Sequence, residues 1–415
     1  MAALPSATQE TGEHARNPLQ VKVMASLVTQ PSTARIIEEL QPVLTAYREQ
    51  SERDRKLAPE VARAMIDAGV FQSLVPKAFG GMELDPVDAL QLYEGIARID
   101  ASAGWIAANQ SGIATLVSLL PEAAGPEIFG GGRVLFAGAL FPPGSAEPVE
   151  GGYRISGRWP FVSGCDYANW MVGSAIIMDG GQPRIGPHGE PVMMAVVFPS
   201  NDATIVENWD TLGMRGTGSN DIMVNDAFVP EHRTWVVGSA EPAGSVFTAP
   251  IYRLGFWPVA SVNASVALGI ARAALEDLSA LASKTPAYVM TSVGDRPVVQ
   301  DRLARARAQL DAARSYVYLT IEDATENVRG GGMLDPVVGM SVSLAGTFAM
   351  EAAAAVVDDV HSMAGTSAIR NGARFQSYFR DIHTLTQHAY SSASRYESIG
   401  KLLLGKETDW AFYAL

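Results

Sequence analysis

The feature that most constrains the fold is a change of texture that happens twice. From Thr33 to about Gly130 apolar residues recur at helical spacing, and past Phe256 long helical patterns return. Between them, from about 131 to 240, the apolar residues fall into short β-rich runs: VLFAGAL, YRISGRWPFVSG, WMVGSAIIM, PVMMAVVF and DIMVNDAFVP, split by turns containing glycine or proline. A chain that groups its strands in one block does not build the strand–helix alternation of a doubly wound sheet. The order predicts an α+β protein, mainly α. Its parts are a mobile N-terminal tail (1–32), an N-terminal helical domain (33–130), a compact central antiparallel β domain (131–240) and a C-terminal four-helix bundle (241–415).

Local signals fill in the helical parts. Ile36, Ile37, Leu40, Leu44 and Tyr47 share one face, with a kink expected at Pro42. Pro59 opens a short helix that Gly69 closes, and further helices are expected over 86–99 and 103–119. The bundle helices are expected at about 258–283, from Pro297 onward, at 335–363 and at 373–404. Leu303, Ala306, Leu310, Ala313 and Val317 mark one seam.

Charge and composition exclude several classes. A net charge of −13 repels nucleic acid and anionic membrane surfaces, so an anionic cofactor needs locally placed arginines. The most apolar run, 343–357, contains Glu351 and is too short to span a bilayer. Cys165 is the single cysteine, which rules out an intramolecular disulfide and reads as a small buried hydrophobe. With no secretory signal visible in residues 1–32, a cytoplasmic protein is expected. The histidines, at 14, 188, 232, 361, 383 and 388, show no HExxH or similar spacing, so no metal site is expected.

Three places carry candidate chemistry. Gly216-Thr217-Gly218-Ser219-Asn220-Asp221 precedes a strand rather than a helix, which does not support a nicotinamide site. It is either a plain β-turn or a loop in which Arg215, Thr217 and Ser219 offer donors to an anionic or carbonyl-rich ligand. Asp381, Thr384, His388, Ser391 and Arg395 recur at spacings of three and four. They form a polar stripe that is either a solvated face or the wall of a cavity, with His388 as general base or acid. In GRWPFVSG, Trp159 and Phe161 are either core aromatics or the flanks of a planar ring, beside the hydroxyl of Ser163.

Several phrases together resemble the acyl-CoA dehydrogenase fold, and more narrowly its flavin-dependent monooxygenase branch, the oxygenase components of two-component hydroxylases. They are GGYRISGRWPFVSGCDYANW (151–170), NWDTLGMRGTGSNDIMVNDAFVPEHR (208–233) and SYFRDIHTLTQHAYSSASRYESIGKLLLG (377–405), with LDAARSYVY (310–318) and HSMAGTSAIRNG (361–372) beside them. The resemblance covers about 34–405 and implies a homotetramer with flavin between the β domain and the bundle. It places Ser163 near flavin N5, Phe161 close to the ring and Arg215, Thr217 and Ser219 in a flavin-lining loop. Arg370 and Arg374 become phosphate contacts, and Trp159, Asn109, Asp381 and Thr384 become pocket residues. The positions of the dehydrogenase's proton-abstracting glutamate hold Ala389 or, for the alternative site, Val259, and neither takes a proton. His388 stands next to the empty position, where monooxygenase members carry a histidine. Where some members carry further histidines, this chain has Asn109-Gln-Ser-Gly-Ile113 and Tyr167.

The implied reaction uses reduced FMN or FAD, supplied by a separate NAD(P)H:flavin reductase, and dioxygen. Passing through a flavin C4a-hydroperoxide, it hydroxylates a phenolic or fused-ring aromatic. N- or S-oxygenation by the same chemistry is the alternative, with acyl-CoA dehydrogenation behind it. Ser163 would hold the N5 proton, and His388 would deprotonate a phenol or assist oxygen transfer.

Overall fold

A computed structural model describes residues 31–413, apart from 188, 239–240, 243–244 and 287–289; most of the expected tail (1–32) lies outside them. The N-terminal helices are α1 (Pro31–Asp54), α2 (Pro59–Asp67), α3 (Pro86–Ile99), α4 (Ala101–Thr115) and α5 (Ala124–Phe129). α1 runs on through Pro42 without ending there. Asp85 caps α3 through the Val87 N–H (3.1 Å), and Asp100 caps α4 through that of Ala103 (2.9 Å). α4 is apolar around its whole circumference and is buried on nearly every side, as such a helix must be.

The middle of the chain forms one sheet: β1 (Phe136–Gly138), β2 (Gly144–Val149), β3 (Gly152–Val162), β4 (Trp170–Asp179), β5 (Gln182–Pro183), β6 (Met193–Pro199), β7 (Thr204–Val206), β8 (Asn220–Pro230) and β9 (Thr234–Val236). The path runs β7-β8-β3-β2-β4-β6-β9, with β1 and β5 also on β4. The expectation of an antiparallel domain needs correcting. β1 and β2 both pair parallel to β4, so the sheet is mixed. The connections between these strands are long enough to permit crossovers, which runs of β propensity do not reveal.

Four long helices follow, α6 (Val259–Ala280), α7 (Pro297–Val328), α8 (Pro336–Ala364) and α9 (Arg374–Leu385), and then α10 (Ser394–Leu403). Small residues let them approach closely: a Cβ on Gly269 would sit 2.5 Å from the Glu94 carbonyl oxygen, and one on Gly346 2.4 Å from the Ala260 carbonyl carbon. Buried Glu94 ties α3 to α7, accepting from Arg314 Nε (2.8 and 2.9 Å) and Tyr318 Oη (2.5 Å). α6 and α8 are long and apolar enough to cross a membrane, but their apolar surface is mostly buried among the other helices, as in a bundle core.

The last expected helix, 373–404, is two helices with a turn at 386–393 between them. No glycine or proline breaks it. The bonding tightens to a three-residue spacing at His388 N→Leu385 O (3.1 Å), while Thr386 Oγ1 turns back to the His383 carbonyl (2.9 Å). His388 therefore stands in the turn and not on a helix.

Candidate active site

Where β3 ends, Ser163 Oγ is buried at the head of a chain of hydroxyls. Thr217 Oγ1 lies 2.8 Å from the Met214 carbonyl, which can only accept, so its one proton points there. Thr217 then accepts from Ser219 (2.7 Å), and Ser219 accepts from Ser163 (2.7 Å). Ser163 also accepts from Trp105 Nε1 (2.9 Å). Its proton and one lone pair are thus committed. What it has left for a ligand is one lone pair, so this hydroxyl faces a ligand as an acceptor, the role that holding an N–H proton needs. Gly164 beside it has φ +71°, and a Cβ there would meet Gln110 Nε2 at 2.5 Å, so only glycine fits.

The Trp105 ring continues the cluster. It meets His388 edge-on with centroids 5.1 Å apart. His388 keeps part of its surface open, yet enough protein surrounds it that burial pushes its pKa down to about 4. Its Nδ1 lies 2.8 Å from Asn263 Nδ2 on α6. One turn past Trp105 on α4, Asn109 Oδ1 is sealed from water without a partner, as is Oε1 of the adjacent Gln110. Orphaned acceptors and an open Ser163 lone pair suit a planar ligand rich in N–H groups, which a reduced flavin is.

Other expected site residues fall elsewhere. Trp159 is wholly buried inside the sheet, its Nε1 on the Ser174 carbonyl (3.0 Å). It lies over Gly157 and Gly173, whose added Cβ would collide at 2.8 and 2.7 Å. It is a core residue and not a pocket one. Phe161, two positions on, would share its face in a regular strand. A register shift between Trp159 and Val162, with φ +61° at Phe161, turns the phenyl out instead. It is 67% exposed and meets Trp209 edge-on.

Asp381 and Thr384 hold the loop before β8 onto α9. Asp381 Oδ1 accepts from Met214 N (2.6 Å) and Thr384 Oγ1 from Gly213 N (2.9 Å), so both clamp this loop, and Asp381 also lines a small pocket with Arg215 and Arg374, away from Ser163 and His388. A Cβ on Gly213 would fall 2.2 Å from the Arg380 carbonyl, so this docking needs glycine. Arg215 is taken up by its own loop, at Asp210 (3.0 Å) and Thr211 O (2.7 Å). Arg374 bonds the carbonyls of Arg98 and Ile99 (3.3 and 3.4 Å), pairs with Asp277 (3.5 Å) and stacks on Tyr378. Those partners occupy the guanidinium expected to meet a phosphate. Arg370 is exposed and makes no side-chain contact with the Ser163 cluster. Tyr167 donates to the Leu57 carbonyl, and Cys165 is buried with its thiol pushed up to about 12.

Trp105 and Asn263 were not expected from the sequence. Each sits in an apolar helix where nothing local marks it, and their partners lie 58 and 125 residues away.

The chain matches the acyl-CoA dehydrogenase N-terminal domain over residues 32–122 and its C-terminal domain over 261–393. It is 35% identical to the indole-3-acetate monooxygenase of Pseudomonas putida, over 86% of this chain and 89% of that one. The crystal structure of 3-HSA hydroxylase from Rhodococcus sp. RHA1 superposes with a TM-score of 0.84 at 25% identity, covering 92% of this chain and 99% of that one. XiaF from Streptomyces sp., in complex with FADH2 and glycerol, shares the fold with a TM-score of 0.82 at 23% identity, covering 95% and 99%. The hydroxyl cluster at the end of β3, the histidine next to the place where a dehydrogenase carries its base and the likeness over nearly the whole chain lead to one assignment: the chain belongs to the acyl-CoA dehydrogenase superfamily, in its flavin-dependent monooxygenase branch.

Proposed function

We propose that this chain is the oxygenase component of a two-component monooxygenase that hydroxylates a fused-ring aromatic small molecule with reduced FMN or FAD and dioxygen. The observation that carries the reading is the continuous cluster Ser163–Trp105–His388, which joins a hydroxyl suited to a flavin N–H to a histidine suited to a substrate. The preference for a fused ring draws on the relative named for indole-3-acetate.

Reduced flavin, when bound, supplies the activation of dioxygen and the transfer of one oxygen atom to the ring. The residues present do the rest. Ser163 accepts the N–H at flavin N5 and so keeps that proton in place, with Trp105 and Ser219 fixing its lone pair. Phe161 offers an exposed aromatic face. Tyr390 stacks on His388, and Trp410, Phe412 and Phe141 extend that aromatic cluster. A carboxylate able to take the α-proton of an acyl thioester is missing at the two expected places, which hold Ala389 and Val259. The reading includes a separate NAD(P)H:flavin reductase as partner, a homotetramer and a cytoplasmic location, with no nucleic-acid or membrane partner.

The test is rapid mixing of the protein and chemically reduced FMN or FAD with oxygen-18-labelled dioxygen and a panel of indoles, naphthols and phenols. The expected result is a product carrying one labelled oxygen. Bleaching of oxidised flavin by an acyl-CoA without reductase, with no labelled product, would make the chain a dehydrogenase.

A further inference from the structure

A histidine can take a proton from a substrate only if a ring nitrogen offers a free lone pair. In His388 that lone pair is already used. Nδ1 lies 2.8 Å from the Asn263 amide nitrogen and 3.4 Å from the Tyr390 backbone nitrogen. The second contact decides the matter, because an amide side chain can be turned round whereas a backbone N–H can only donate. Nδ1 is therefore the acceptor, and the proton of the neutral ring sits on Nε2. Nε2 bonds to none of the described residues and is not among the sealed, partnerless atoms, so it is open to a ligand.

We propose that His388 works as a neutral hydrogen-bond donor to an oxygen of the bound aromatic substrate, and that Asn263 is the positioning residue that holds it in this tautomer. The proposal rests on reading the Ser163–Trp105–His388 cluster as an oxygenase site, and it replaces proton abstraction from a phenol as the role of this histidine.

The surroundings fit. α4 presents Trp105 to the ring, α6 presents Asn263, and the 386–393 turn presents Tyr390 and Ser391. The C-terminal segment reaches this corner through Trp410 and Phe412, which pack on Tyr390. The titratable group among these is Tyr390, whose hydroxyl burial holds well above its ordinary range, so it is neutral too. Neither a carboxylate nor a cation contributes to the state of His388, and burial alone disfavours its charged form. Asn263 is itself nearly fully buried, with its amide nitrogen 3.4 Å from Ser391 Oγ as well; because Nδ1 already accepts from the Tyr390 N–H, the end of the amide that faces the ring is the donating NH2. Such a donor selects substrates that bring an accepting oxygen, as phenol, carbonyl or carboxylate, to this corner.

Two measurements test it. The first is nitrogen-15 NMR of the imidazole in the flavin-free protein at pH 7, assigned by its loss in His388→Ala. A signal pattern with the proton on Nε2 supports the proposal; a proton on Nδ1, or on both nitrogens, overturns it. In Asn263→Asp the carboxylate accepts from Nδ1–H, so the tautomer should reverse. An unchanged tautomer there would remove Asn263 from its positioning role.

The second is single-turnover product formation with reduced flavin. His388→Gln keeps an N–H donor and should stay within about tenfold of the natural protein, while His388→Ala should fall by roughly 100-fold, the cost of one well-placed donor. The natural protein should show no rate limb near pH 6–7. Equal loss in Gln and Ala would overturn the donor role, as would full activity in both. If the spectrum shows Nε2–H yet no aromatic compound is oxygenated even by the natural protein, the oxygenase reading fails together with the substrate half of the proposal, while the tautomer assignment survives.

Discussion

The sheet side and the helical side of the Ser163–Trp105–His388 cluster handle their polar groups in opposite ways. On the sheet side each hydroxyl is committed: Ser163, Ser219 and Thr217 pass their protons in one direction to the Met214 carbonyl. On the helical side, groups lack partners: Asn109 Oδ1 and Gln110 Oε1 are sealed without one, and His388 Nε2 is unbonded. A buried polar group without a partner costs on the order of 1–3 kcal/mol, so it persists where a ligand completes it or function requires it. The contrast assigns the fixed hydrogen-bonding pattern of the sheet side, with the two orphaned acceptors facing it, to the flavin, and leaves His388 Nε2 to be completed by whatever else binds. Trp105 joins the two, donating to Ser163 and meeting His388 with its ring.

Removing that join should give the largest effect. Trp105 is almost fully buried, so Trp105→Ala should cost roughly 3–5 kcal/mol of stability, read as a lower urea midpoint. Trp105→Phe separates packing from donation. It should lose only about 1 kcal/mol of stability, while product formed per reduced flavin drops and peroxide rises, because the Ser163 oxygen is no longer held. Coupling equal to that of the natural protein in Trp105→Phe would show that the two walls work independently.

The direction of the hydroxyl chain can be broken on the sheet side alone. Ser219→Ala removes the acceptor of the Ser163 proton, which then becomes available to a ligand. Oxidised flavin presents a lone pair at N5 and reduced flavin an N–H. The variant should therefore bind oxidised flavin more tightly relative to reduced, by about fivefold in the ratio of dissociation constants for one hydrogen bond of ~1 kcal/mol. Fluorescence quenching measures the oxidised form, and anaerobic titration the reduced one. An unchanged ratio would mean that the Met214 carbonyl does not set the direction.

How much of this was legible in the sequence depended on distance along the chain. The helix–strand–helix order and the approximate place of each bundle helix follow from periodicity, which is local. The end of β3 was half legible: Ser163 joins the buried hydroxyl cluster, but alternation put Trp159 and Phe161 on the same face, and the local register shift that separates them has no composition signal. On α9 the spacing of Asp381 and Thr384 was read correctly as one face, yet what that face meets, the Gly213–Met214 backbone, is a tertiary fact. Arg374 looked like a free cation because its partners, the last carbonyls of α3, lie more than 270 residues earlier. The split of the last helix escaped because Ser and Thr loosen a helix without the clear stop that glycine or proline gives.

Asp381 provides the most specific test, because it clamps the sheet-side loop to the helical side. Burial raises its carboxyl from 3.8 to about 7, against the Met214 N–H and Arg380, which favour the charge, and with help from Glu52 and Asp100, which oppose it. In the unfolded chain it titrates near its ordinary value. Between pH 4 and 7 the folded state therefore holds a proton that the unfolded state has lost. The stability this contributes is fully present below about pH 4 and is lost as pH rises through 7. Asp381→Asn keeps an oxygen for the Met214 N–H but cannot ionise. Its stability relative to the natural protein should thus improve from pH 5 to pH 8, as read from urea midpoints at each pH. A constant difference across that range would mean that Asp381 stays charged in the fold. The loop would then be held by an ionic contact, and the sheet side would no longer differ from the helical side in being built of neutral, fully committed groups.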